Sequence, residues 1–335
     1  MKPLRAGIIG CGQFAQRHAE RLAALEDVRL VGFCNRTVEK AIAFNQRYAN
    51  GQGRVYKDYE RMFEELDLDL VYICLPPFAH ANEVELACQH GVHFLIEKPI
   101  ALTMDLARNM AKWVKDSGVK SQVGFMFRHG EAIQWLKAYM HDVGIVGNGF
   151  MSARYFCNSL HSWWWRDRSK SGGQLVEQII HLLDLARFFF GEPARVYSMQ
   201  ENLFHRDVAD YTVEDASGTV VRFESGGVAV FAVSNGAIPN RWDYDLRVVL
   251  PDLTADFEDV NHAVFHHTGQ DWSATTTIAS EKDVYLAETL DLLAAIRDDC
   301  PTAVPIEEGV RSLALALAAA RSAEQDIPID IALPV

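Results

Sequence analysis

The stretch "GIIGCGQFAQRHAERL", Gly7 to Leu22, constrains this chain more than any other part of it. "LRAGIIG" (4–10) is an apolar run ending in glycine, and residues 13–25 carry Phe14, His18, Leu22 and Leu25 on one helical stripe. At the junction stands Gly10-Cys11-Gly12-Gln13-Phe14-Ala15, a G-x-G-x-x-A. The first glycine makes a tight turn, the second lets backbone approach a pyrophosphate, and Ala15 lets the helix lie close to the strand. The helix N-terminus then points unbonded N–H groups at the anion. A glycine turn alone is a weak signal. At the first strand–helix junction of a β-α-β unit it predicts a dinucleotide site.

The rest of the first 125 residues keeps that grammar. "VRLVGFC" (28–34) reads as a second strand, and Thr37 is placed to cap a helix running to Tyr48. "LDLVYICLPP" (68–77) reads as a third strand halted by prolines, followed by a helix from Ala79 to His90 that ends at Gly91. "VHFLIEK" is a fourth strand, Thr103 caps a helix ending near Ser117-Gly118, and "VKSQVGFMF" (119–127) is a fifth. Repeated β-α units with short links imply a doubly wound parallel sheet covered on both faces, a Rossmann architecture. After residue 130 the pattern changes. A helix near 131–141, a strand near 149–157 and one long helix over 174–190 lead into strands between 194 and 278, with a hairpin at Ser225-Gly226-Gly227. Two helices, near 283–298 and 307–324, close the chain. The expectation is α/β: a dinucleotide-binding domain over 1–128, onto which the closing helices can pack back. An α+β domain over 129–335 with a mainly antiparallel sheet follows.

Bulk properties bound the function. Net charge is −13, from 32 basic and 45 acidic side chains, which argues against a nucleic-acid or anionic-membrane partner. No segment approaches the roughly eighteen apolar residues of a membrane span, and the start lacks the apolar run of a secretory signal. The six cysteines, 11, 34, 74, 88, 157 and 300, form no C-x-x-C pair and read as reduced, which fits a cytoplasmic location. His262, His266 and His267 lack partners at ligand spacing and read as a solvated loop, so no metal is expected.

Cofactor choice turns on the end of the second strand. An acidic residue there would bind free ribose hydroxyls. Here the sequence is "GFCNRT": the amide of Asn35 does not repel a 2′-phosphate, Arg36 supplies charge and Thr37 a hydroxyl. This favours NADP, with NAD the alternative. Elsewhere, "LVEQIIHLLDLARFFF" (175–190) is apolar nearly all round, yet carries Glu177, His181 and Asp184 at spacings of four and three. Ionisable groups on one line of a buried helix need a polar cavity or one another. "HSWWWRDRSKSGGQ" places Trp163, Trp164 and Trp165 in a loop before it, and their flat faces suit a sugar ring, a nicotinamide or a subunit contact.

Together these motifs resemble the Gfo/Idh/MocA oxidoreductases, the glucose-fructose oxidoreductase and inositol dehydrogenase family. The resemblance rests on Gly10-x-Gly12-x-x-Ala15, Pro76 to His80, Glu97-Lys98-Pro99, Gly124 to Arg128, Trp165-Arg166, Gly172-Gly173, Glu177-x-x-x-His181-x-x-Asp184 and "EGVRSLALALAAARSA", and so spans nearly the whole chain. Two positions depart from the pattern: Glu177 where Asp is common, and Leu75 where a small or hydroxylated residue often precedes the proline. The resemblance implies an NAD(P)-dependent dehydrogenase or reductase acting on a CH–OH carbon of a sugar, polyol or sugar derivative. The alternatives are a catalytically silent NAD(P)-binding regulator and a reductase of non-sugar substrates such as dihydrodiols. It implies Lys98 and His181 as catalytic groups. Glu177, Asp184, Trp164 and Arg128 would face substrate. Besides the glycine turn with Gln13 and Phe14, and Asn35 to Thr37, it places Leu75, Pro76, His80, Glu97, Lys98, Trp165, Arg166 and Tyr285 at the cofactor. A homo-oligomer built through the C-terminal sheet is expected.

Overall fold

A computed structural model describes residues 2–269 and 273–332. The chain divides into two compact units, one of the residues up to Met126 with Asp283–Val310, the other of Phe127–Lys282 with the residues from Arg311 onward.

In the first unit, strands β1 (Leu4–Ile9), β2 (Val28–Cys34), β3 (Arg54–Tyr56), β4 (Leu70–Ile73), β5 (His93–Ile96) and β6 (Ser121–Val123) form one sheet in the order β3-β2-β1-β4-β5-β6. Every neighbouring pair is parallel. β4 is buried at all four positions, which is why it reads as an unbroken apolar run. The sheet has six strands rather than five: β3 and the helix Tyr59–Glu65 escape sequence reading because a three-residue strand shows no period. Helix Gln13–Ala24 buries Ala15, His18, Ala19 and Leu22. Phe14, expected on that stripe, is 46% exposed. The next helix after β4 begins at Glu83, not Ala79, because Pro76 and Pro77 permit only a short 3₁₀ turn over Pro77–Ala79 first. Thr37 stands at the N-cap position of Val38–Ala49 but its side chain makes no capping bond, whereas Thr103 Oγ1 accepts from Leu106 N. Helix Val284–Asp298, capped by Asp283, packs along helix Gln13–Ala24, and its Leu292 and Leu293 join the core around Ile8, Leu22 and Tyr72.

The second unit is built on a nine-stranded sheet. Its strands are β7 (Phe150–Cys157), β8 (Pro193–Glu201), β9 (Ala216–Phe223), β10 (Val228–Ser234), β11 (Trp242–Val249), β12 (Leu253–Phe257), β13 (His262–His267), β14 (Thr275–Ala279) and β15 (Ile329–Asp330), ordered β14-β13-β12-β11-β7-β10-β9-β8-β15. All pairs are antiparallel except β7–β10. Alternate residues of β9 and β10 are buried, as one covered face requires. The β9–β10 hairpin closes through Phe223 N to Gly227 O, with Gly226 at φ +89°. His262, His266 and His267 lie on strand β13, not in a loop, and take Asp259, Asp256 and Thr276 as partners.

The single helix expected over 174–190 is two, Gln174–Glu177 and Ile180–Phe190. Ile179 N reaches back five residues to Gln174 O and His181 N only three to Gln178 O, so a wide turn is followed by a tight one. The break removes the common stripe on which Glu177, His181 and Asp184 would have stood.

Candidate active site

The glycine turn at the carboxyl end of β1 leaves an open approach to backbone N–H groups. Gly10 has φ +89°, and a Cβ there would meet Cys74 O at 2.4 Å, so the position admits no side chain. Gly12 at φ −102° has nothing within 4 Å of a Cβ; nothing in the protein itself requires glycine there. The open space lies at the N-terminus of helix Gln13–Ala24, which has no acidic residue in its first turn and exposes Gln13 and Phe14. Bare N–H groups, no negative charge and an unfilled approach suit a pyrophosphate. Asn35 ties the turn down: its Oδ1 accepts from Cys11 N at 3.0 Å and its Nδ2 donates to Thr37 O at 2.9 Å. Both ends of the Asn35 amide thus make a bond within the protein. Arg36, Thr37 and Lys40 are exposed beside it.

The ends of β4 and β5 carry the next groups. Leu75 and Pro76 are half-buried. His80 is buried, its Nδ1 2.6 Å from Glu83 Oε1, and Glu83 also accepts from Ala81 N at 2.7 Å. Burial alone would raise the Glu83 carboxyl, but the hydrogen bond and charge of His80 hold it below the usual range. Lys98, after β5, is half-buried and joined to Pro99 by a cis bond. Glu97 is buried, with Oε1 2.8 Å from His18 Nε2. Its Oε2 stands 2.9 Å from where a Cβ on Gly124 would lie, so the glycine leaves room for the carboxylate. Tyr285, in the first turn of helix Val284–Asp298, accepts from Arg17 Nη1 at 3.2 Å and meets the His18 ring edge-on at 5.9 Å. Burial pushes its hydroxyl up to about 12.

In the second unit the three motif residues have separate partners. Glu177 Oε2 accepts from Trp165 Nε1 at 2.7 Å. His181 stacks on Phe127 at 4.8 Å between centroids, and Phe127 in turn on Tyr244 at 4.9 Å. Asp184 is fully buried and accepts from Arg128 Nε and Nη2, both at 2.7 Å, and from Ser312 Oγ at 2.7 Å. Arg128 and Asp184, expected at the substrate, are therefore a tie between the segment after Phe127 and helix Ile180–Phe190. A buried carboxylate that satisfies a bidentate guanidinium keeps little capacity for anything else. The tryptophan loop is not a bare apolar patch either: Trp165 is buried with Tyr211 and Val213, Trp164 packs half-buried on them, and only Trp163 is exposed, beneath Lys170. Arg166 is half-buried, and its carbonyl accepts from Thr212 N.

Sequence reading missed Glu214. It is 2% exposed, accepts from Leu175 N at 2.8 Å and Arg168 Nη2 at 2.8 Å, and lies 2.5 Å from where a Cβ on Gly173 would be. Glu214 thereby holds the N-terminus of the short helix carrying Glu177, and only Gly173, at φ +94°, fits over it. His161, half-buried at φ +52° with its ring tilted against Trp165 at 4.1 Å between centroids, was missed as well. Burial pushes its imidazole down to about 4. An isolated acid or histidine in a turn carries no periodic signal that would single it out. Among the described residues no group of three or more His, Cys, Asp or Glu could hold a metal ion.

A parallel sheet with a glycine turn and helix N-terminus at the carboxyl end of its first strand defines a dinucleotide-binding protein. The chain belongs to the Gfo/Idh/MocA family: residues 4–125 match the family's NAD-binding Rossmann fold and residues 148–331 its C-terminal alpha/beta domain. It is 28% identical to the D-glucoside 3-dehydrogenase of Escherichia coli over 68% of either chain. It is 26% identical to the inositol 2-dehydrogenase of Rhizobium meliloti, over 98% of this chain and 99% of that one. A levoglucosan dehydrogenase solved with NADH and L-sorbose shares the fold at TM-score 0.89 and 19% identity, with all of both chains covered.

Proposed function

We propose that this protein transfers a hydride between a nicotinamide and a hydroxyl-bearing carbon of a sugar, polyol or sugar derivative. One observation carries the reading. β1 and β5 run parallel in one sheet, so the cradle of Gly10 and Gly12 and the ammonium of Lys98 emerge at the same, carboxyl, edge. The names of the relatives, a glucoside and an inositol dehydrogenase, support the substrate class.

When bound, the nicotinamide supplies the hydride acceptor or donor. The protein's own part is to bind, orient and handle the proton. Gly10, Gly12 and the helix N-terminus hold the pyrophosphate, with Leu75, Pro76 and His80 beyond them at the β4 end. Lys98 stabilises negative charge developing on the substrate oxygen. His181, held flat against Phe127, is the second unit's group for exchanging a proton with substrate. Glu177, oriented by Trp165, receives a substrate hydroxyl, with Trp164 on the substrate side. Tyr285 supports the cofactor side through Arg17.

NADP is favoured over NAD. Arg36, Lys40 and the Thr37 hydroxyl are exposed beside the turn, and no carboxylate closes the strand. Residues 1–128, with helix Val284–Asp298 packed back on them, act as the cofactor domain, and the rest of 129–335 as the substrate and assembly domain of a cytoplasmic homo-oligomer. Fluorescence should report NADPH oxidation or NADP reduction with at least one member of a sugar, polyol and keto-sugar panel. Lys98→Arg should cripple turnover of that pair, since a larger planar cation is misplaced. Silence across the whole panel, or full activity of Lys98→Arg, would sink the reading.

A further inference from the structure

His161 has no part in the chemistry above, yet the second unit fixes it closely. It stands in the turn after β7 at φ +52°, a conformation that L side chains rarely adopt. Its backbone N–H donates to Ser159 Oγ at 3.1 Å. Buried Asn235 ties the same turn down: its Oδ1 accepts from Ser159 N at 2.9 Å, and its Nδ2 donates to Ser159 O at 2.8 Å and to the Tyr211 hydroxyl at 2.9 Å. The imidazole is tilted against the Trp165 ring and meets the exposed Trp242 edge-on, with centroids 6.3 Å apart. That same Trp165 donates through Nε1 to Glu177 Oε2. The residue after Glu177, Gln178, has its Nε2 3.3 Å from His161 Nε2. His161 is thus tied to Glu177 twice, through one indole and through the next side chain along the helix.

Hydrogen-bond polarity decides which ring nitrogen carries the proton. Burial drives the imidazole down to about 4; Glu177 and Asn235 oppose it and His205 adds to it, so the ring is neutral at neutral pH. A neutral imidazole has one donor and one acceptor nitrogen. Gln178 Nε2 brings an N–H to His161 Nε2, while Gln178 Oε1 accepts from Gln174 Nε2 at 3.0 Å. Turning both amides over would put the two N–H groups of Gln174 where its Oε1 now stands buried without a partner, stranding two donors in place of one acceptor. Cys157 Sγ, 3.9 Å from Nε2, donates to Asn235 Oδ1 at 3.1 Å. Nε2 is therefore the acceptor, and Nδ1 carries the proton. Among the described residues nothing accepts from Nδ1, and that atom is not sealed from solvent.

We propose that His161 is a specificity-determining residue whose Nδ1–H donates to a substrate hydroxyl neighbouring the one received by Glu177. This deepens the reading above and rests on the role given there to Glu177. An acceptor and a donor beside one indole suit a ring that carries hydroxyls on adjacent carbons: one donates to the carboxylate, the next accepts from the imidazole. Trp242, exposed next to His161, adds a flat apolar surface for the C–H side of such a ring. An uncharged imidazole brings no counter-charge for a phosphate or carboxylate. The substrate class is therefore an uncharged cyclic polyol or sugar, not a sugar phosphate or sugar acid.

The test uses the substrate that turns over in the panel together with its monodeoxy analogues, and reads binding as well as turnover. In protein labelled with ¹⁵N-histidine, the His161 ring signals, assigned by their loss in His161→Asn, should show the neutral Nδ1-protonated form down to about pH 5. They should move when substrate is added. His161→Phe keeps a ring against Trp165 and removes the donor. KM for the substrate should rise about tenfold, with kcat within about threefold. For one monodeoxy analogue, which lacks the hydroxyl in question, the variant and the unmodified protein should agree in KM within about twofold, because lost packing alone would weaken every ligand equally. Should His161→Phe fail to fold, His161→Asn serves, since asparagine tolerates the left-handed backbone and its shorter amide leaves the hydroxyl unmet. An Nε2-protonated ring, ring signals that do not respond to substrate, an equal rise in KM for every analogue, or a preference for sugar phosphates or sugar acids overturns the proposal. Silence across the panel overturns the role of Glu177 first, and this inference with it.

Discussion

Gly10 and Gly12 are two residues apart, yet their replacement by alanine should have opposite consequences. At Gly10 the backbone is at φ +89°, and the added Cβ would lie 2.4 Å from the oxygen and 2.8 Å from the carbon of the Cys74 carbonyl. The left-handed conformation costs an alanine about 1–2 kcal/mol. The overlap is with backbone, which cannot rotate away, and overpacking of that kind adds about 1–3 kcal/mol. Gly10→Ala should therefore destabilise the first unit by roughly 2–5 kcal/mol, a fall in its Tm of about 4–20 °C at the usual 2–4 °C per kcal/mol. At Gly12, φ is −102° and the Cβ would meet nothing within 4 Å. Stability should stay within about 0.5 kcal/mol, as for other unstrained surface changes. The methyl group would instead stand in the open space proposed for the pyrophosphate. Coenzyme affinity should drop by about tenfold or more, some 1.4 kcal/mol. Differential scanning calorimetry separates the first effect, and titration of NADPH fluorescence the second. If Gly12→Ala melted early, or bound coenzyme as tightly as the unmodified protein, the cradle would be misassigned.

Asp184→Asn leaves the buried Arg128 cation without its counter-charge, which costs about 3–5 kcal/mol; the second unit should melt earlier while substrate KM is unmoved. A raised KM at unchanged Tm would return Asp184 to the substrate. His181→Ala should lower kcat by about 10²- to 10⁴-fold with coenzyme affinity intact, and near-normal turnover would leave the ring as a stacking partner only. Glu288 binds a proton in the folded state that the unfolded chain surrenders above about pH 4.5, so its neutral form contributes stability fully below that pH and loses it as pH rises toward the folded value. Glu288→Gln should match the unmodified protein in urea titrations at pH 4.5 and exceed it increasingly toward pH 8; a constant offset would contradict the raised carboxyl. Replacing Asn35 with Asp and Arg36 with Ala should reverse the coenzyme order in favour of NAD, and an unchanged kcat/KM ratio would count against Arg36 as the phosphate contact.

The sequence by itself determined the alternation of strands and helices, the glycine turn and the candidate residues Lys98 and His181. Each rests on a local rule: a glycine that must turn, a strand that ends in charge, a titratable group in an apolar run. Such rules act over a few residues, and the chain displays them whole. What the tertiary structure decided involves partners far apart in sequence. Arg128 and Asp184 read separately as substrate ligands, and only their approach across 56 positions shows that they satisfy one another. The helix over 174–190 looked continuous because its apolar pattern runs through the break; Glu214, 39 positions beyond Leu175, holds its first turn instead. Glu288 carries no local signal, and only the return of helix Val284–Asp298 to the first unit brings it to His18. A buried acid costs several kcal/mol unless its surroundings neutralise or pair it, and those surroundings exist only once the chain has folded.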